Sequence, residues 1–81
     1  MTMKEKIMKE YKMAYMAYCY GVKKQRNENL EIGEFVAIQN LIDKYRMVME
    51  VLENCMNKKD IEMLDEIKAE IENHVYYGVS A

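Results

Sequence analysis

No proline interrupts the 81 residues, and glycine occurs only at positions 21, 33 and 78. Proline and glycine are the residues that most strongly break a helix. A chain that almost lacks them, and is rich in Ala, Leu, Lys, Glu and Met, has little reason to stop being helical except at a few polar breaks. With 51% hydrophobic and 32% charged residues the chain is too apolar for a disordered segment. At 81 residues it is one domain, and a small one, since a domain of this size buries only about 60% of its unfolded surface.

The spacing of apolar residues predicts three helices, over roughly 3–26, 32–56 and 58–77. In the first, Ile7, Met8, Tyr11, Ala14, Tyr15, Tyr18 and Val22 fall on one face, and the steps from Met8 to Val22 alternate three and four residues. In the second, the seam is Ile38, Leu41, Ile42, Tyr45, Val48, Met49, Leu52, Cys55 and Met56; in the third, Leu64, Ile67, Ile71, His74 and Val75. Asn27 or Asn29 is placed to close one helix or cap the next, and Asn57 with Asp60 makes a weak capping box before the third. Gly78 follows the last turn where a left-handed residue commonly ends a helix, with Val79 free to fold back on it. The expected fold is all-α, an antiparallel three-helix bundle with the third helix returning beside the second, and dimeric if an apolar face is left over.

Such a surplus face exists in the first helix. Residues 13–22 carry no charge, although lysines flank them on both sides. Opposite the seam lie Met13, Met16, Ala17 and Tyr20, and Lys9, Lys12, Lys23 and Lys24 stand around them. Methionine adapts to irregular surfaces, and tyrosine joins a large contact area to a polar tip. This face is the candidate partner-binding site. It serves either a larger protein, with this chain as adaptor or inhibitor, or a second copy in a structural homodimer; the internal alternative is that the first helix sits centrally between the other two.

Charge is divided along the chain. Residues 1–26 carry a net +5 and residues 27–81 a net −7. A basic helix beside acidic ones accounts for this internally. Nucleic acid is the alternative partner for the lysines, through phosphate contacts and base stacking on tyrosine. It is disfavoured because the first helix has a single arginine, no recognised binding motif is present, and the remaining chain is acidic. The outer side of the third helix, with Glu62, Asp65, Glu66, Glu72 and Asn73, reads as a solubilising face.

Catalytic chemistry finds few working groups: one histidine, no motif-framed nucleophile and no glycine-rich cofactor loop. No enzyme activity, metal or cofactor is expected. Glu66, Glu70 and His74 share one flank, but the inward Glu-x-x-His pattern of carboxylate-bound metals is missing. Cys19 and Cys55 have no paired spacing and read as buried free thiols in a reducing cytoplasm. The apolar run is about ten residues, against roughly 20 for a bilayer span, and no membrane contact is expected. In its low-proline wording, rich in Lys, Glu, Met and Tyr, the chain resembles small cytoplasmic proteins of AT-rich bacterial or phage genomes.

Overall fold

A computed structural model describes residues 2–78; Val79 and the residues after it lie outside the described part. Three helices form: α1 (Met3–Asn27), α2 (Ile32–Asn54) and α3 (Lys58–Tyr77). Their ends have local causes. The Thr2 hydroxyl accepts from the Glu5 backbone N–H at 3.2 Å, and Asn57 Oδ1 accepts from the Asp60 N–H at 2.8 Å. Each satisfies one of the donors a helix start leaves free. At the far end of α3, Gly78 takes φ 66°, and its N–H reaches the carbonyls of Asn73 and His74. That left-handed cap favours glycine because a Cβ is strained there.

The second helix starts differently from the sequence expectation. Neither Asn27 nor Asn29 caps it: Asn27 is the last residue of α1, and the N-cap is Glu31, whose side chain makes no capping bond. Glu34 in the first turn compensates in part, because a carboxylate there meets the positive end of the helix dipole.

The order of packing is also different. Helix α3 lies against α1, and α2 lies against α1 on another side, while α2 and α3 scarcely touch. A short connection makes α3 reverse but does not choose its neighbour. The side chains of α1 choose it. Gln25 bonds Gln39 at 3.0 Å, Gly21 lies against Ile42, and Arg46 sits over the Tyr18 ring at 6.0 Å, so contacts advance along α1 as they retreat along α2. Along α3 they advance together, from Lys4–Asp60 at 3.0 Å through Tyr15–Glu72 to Lys23–Val75.

The core follows from this central position. Helix α1 supplies Tyr11, Ala14, Tyr15 and Cys19, α2 supplies Ile42 and Met49, and α3 supplies Leu64, Ile71 and Val75. The rings of Tyr11, Tyr15 and Tyr18 stack in sequence, with centroids 6.4 and 5.9 Å apart. The Lys68 ammonium lies 5.9 and 5.7 Å from the first two, within range of a cation–π attraction. Four residues of the expected seams lie elsewhere: Leu41, Val48, Cys55 and His74 are exposed. For the first three the reason is the same. With α3 on α1, none of the described residues covers that side of α2.

Candidate functional site

The outer face of α1 lies away from both neighbours. Met13 is 63% exposed and Tyr20 47%, and Lys9, Lys12 and Lys24 are exposed around them. The face is therefore present on the isolated chain, as an apolar centre in a cationic ring. Three of its expected members are otherwise engaged. Met16 and Ala17 are half-buried, and Met16 packs on the core. Lys23 donates to the Val75 carbonyl at 2.9 Å, where an ammonium satisfies a free carbonyl at the negative end of α3. Lys23 thus ties α3 to α1, and its side chain is half-buried rather than offered to solvent.

Beneath that tie runs a polar network. The Tyr15 hydroxyl donates to the Glu72 carboxylate, so Glu72 belongs to the α1–α3 seam and not to the solvated outer face of α3. Glu62, Asp65, Glu66 and Asn73 remain exposed. Burial pushes the Tyr15 phenol well above its ordinary range, and the Glu72 carboxylate, which accepts a hydrogen bond from the hydroxyl, adds to the effect. Burial likewise raises Cys19 and lifts Tyr76 to about 12. A thiol held protonated in this way is a poor nucleophile. Asp60, almost fully enclosed, has Oδ1 3.0 Å from the Lys4 ammonium; the pair is set for charge attraction without an aligned hydrogen bond.

Between the ends of α1 and α3 a polar cleft of about 650 Å³ is lined by Lys23, Arg26, Glu72, Asn73, Tyr76 and Tyr77, among others. Its cations and carboxylate are of mixed sign, so it selects neither anion nor cation. Among the described residues no cluster of three His, Cys, Asp or Glu side chains can hold a metal ion, and no helix is long and apolar enough to cross a membrane.

A larger exposed apolar surface lies on α2. Met47 is 67% exposed, Val51 61% and Leu41 49%, and with Val48 and Leu52 the first two help to line a shallow groove of about 540 Å³. The sequence signal for it was legible. Apolar residues take up more than half the circumference of α2, too much for one neighbouring helix to cover.

The chain matches no protein-family model, no curated protein and no solved structure. Any functional reading therefore stands on these surfaces.

Proposed function

We propose that this chain is a small helical protein-interaction module, an adaptor or inhibitor that covers a site on a larger protein through the outer face of α1. One observation carries the reading. Met13 and Tyr20 are open to solvent on a helix whose other sides are already used by α2 and α3. A helix held rigidly by two others presents its anchors without an ordering cost at the moment of binding. Met13 and Tyr20 would fill an apolar pocket as i and i+7 anchors, and Lys9, Lys12 and Lys24 would meet an acidic rim that speeds and orients the encounter. Met16 and Ala17 support the anchors from below. The free thiols Cys19 and Cys55 favour a reducing compartment, and we place the protein in the cytoplasm.

The test compares the wild type with the double variant Met13→Glu, Tyr20→Glu in affinity capture from host lysate. Both residues are exposed, so the helical circular dichroism of the variant should match the wild type. A protein captured by the wild type and lost by the folded variant is the expected result. Equal capture by both, or unfolding of the variant, defeats the reading.

A further inference from the structure

Sulfur is abundant in this chain, with nine methionines and two cysteines, and part of it gathers at one end of the bundle. There the first turns of α1 meet the connection between α2 and α3 around a cavity of about 250 Å³, lined by Met3, Met8, Cys55 and Met56 together with Lys4 and Asp60, among others. The backbone that carries these sulfurs is held in place. The Thr2 hydroxyl caps α1 just before Met3, and the Cys55 and Met56 N–H groups donate to the Leu52 and Glu53 carbonyls at 3.0 and 3.1 Å. Met8 and Met56 also pack on the core. Methionine side chains are unbranched and adaptable, so thioethers that share one cavity can turn toward a common point.

The donor set decides what can sit there. Thiolate and thioether sulfur are soft ligands and select copper(I) over hard cations. Magnesium and calcium need oxygen ligands, and the carboxylate at this cavity, Asp60, is already paired with the Lys4 ammonium at 3.0 Å. Zinc is held by imidazole, thiolate and carboxylate, and no three of these groups converge among the described residues. Charge agrees with a monovalent ion. Lys4 and Asp60 cancel, so a Cys55 thiolate and a copper(I) ion leave the cavity neutral. We propose that this cavity binds one copper(I) ion, ligated by the Cys55 thiolate and the thioethers of Met3, Met8 and Met56.

Binding replaces the S–H bond of Cys55 by an S–Cu bond; the proton passes to solvent and no electron is transferred. Cys55 is exposed, so the ion reaches it directly. Cys19 does not compete, because it is 1% exposed and burial keeps its thiol protonated. The bound ion ties the start of α1 to the α2–α3 connection. Neither Met13 nor Tyr20 takes part, so the site is independent of the docking role proposed for them.

Anaerobic titration of the full chain with copper(I), against bicinchoninate as competitor, tests it. A single equivalent should bind. In protein with isotope-labelled methionine methyl groups, the Met3, Met8 and Met56 signals should move while those of Met13, Met16, Met47, Met49 and Met63 hold. Zinc at the same concentration should leave all of these signals in place. Met8→Leu with Met56→Leu conserves volume and apolarity, so helicity should be unchanged while affinity for copper(I) falls by roughly tenfold or more, two soft ligands being lost. Cys55→Ser should lose tight binding. Wild-type affinity in the double leucine variant would mean that Cys55 captures the metal alone, and would refute the site. Tight binding that survives Cys55→Ser, unmoved Met8 and Met56 methyl signals in the wild type, or shifts centred on the other methionines would overturn the inference equally.

Discussion

Gly21 lies in the middle of α1, where glycine costs about 1 kcal/mol relative to alanine because the unfolded chain gains more freedom. On propensity alone, Gly21→Ala should stabilise the protein by that amount. The structure reverses the sign. A Cβ at position 21 would stand 3.0 Å from Ile42 Cγ1, 3.5 Å from its Cδ1 and 3.8 Å from Ile38 Cγ2. Ile42 is 2% exposed and its Cγ1 is near the backbone, so it cannot swing clear. Overpacking of a tight contact typically costs about 1–3 kcal/mol. The net expectation is a loss of about 0–2 kcal/mol. The contact also predicts its own cure. In an Ile42→Ala background the clash is gone, and Gly21→Ala should then stabilise by close to its full propensity of about 1 kcal/mol. The coupling between the two sites should be about 1–3 kcal/mol. Urea denaturation followed by far-ultraviolet circular dichroism measures all four proteins, with equal slopes as the check that only stability has changed. Ile42→Ala itself costs about 2–5 kcal/mol, so the cycle is best run in an excluded osmolyte such as TMAO. If Gly21→Ala stabilises the wild type by as much as it stabilises the Ile42→Ala protein, α1 and α2 do not approach closely at Gly21, and the packing of these two helices described above is refuted.

Alkaline pH should destabilise the fold. Cys19, Tyr11, Tyr15 and Tyr76 all have raised native pKa values, chiefly through burial. The unfolded state gives up these protons first, at its ordinary values near 9 for the thiol and 10 for the phenols. The stability these groups contribute is complete below pH 9 and declines as pH rises through 10 and toward the Tyr76 value of about 12. Thermal melts at pH 8 to 11 should show falling midpoints; a midpoint that holds or rises across that interval would contradict the buried tyrosine network. The two thiols should also separate kinetically. At low micromolar protein, Ellman's reagent should modify exposed Cys55 rapidly and buried Cys19 only as the α1–α3 seam opens. Simultaneous modification of both would show that Cys19 is not enclosed.

Most of the candidate interaction face on α1 is readable from residue order. Met13 and Tyr20 are seven apart on the side opposite the tyrosine seam, so any partner that takes the seam leaves them out. Lys23 escapes that logic. Its place on the wheel puts it beside the face, but its use depends on the Val75 carbonyl, 52 residues away in the chain. Glu72 is a similar case: its sequence neighbours are those of a solvated acidic face, and only the docking of α3 on α1 brings it to the Tyr15 hydroxyl.

Residue order alone determined the three helices and those of their ends that carry a local cap. Helix formation is a matter of i to i+4 bonds, local propensity and caps such as Thr2, Asn57 and Gly78, all written within a few residues of where they act. Tertiary structure alone decided which helix is central, and with it the fate of Leu41, Val48 and Cys55. An apolar stripe states that it must be covered but not by what, because hydrophobic attraction has no direction. The choice between α1 and α2 as the seat of α3 falls to shape and specific polar pairs, Lys4 with Asp60, Tyr15 with Glu72 and Lys23 with Val75, which exist only once the chain has folded.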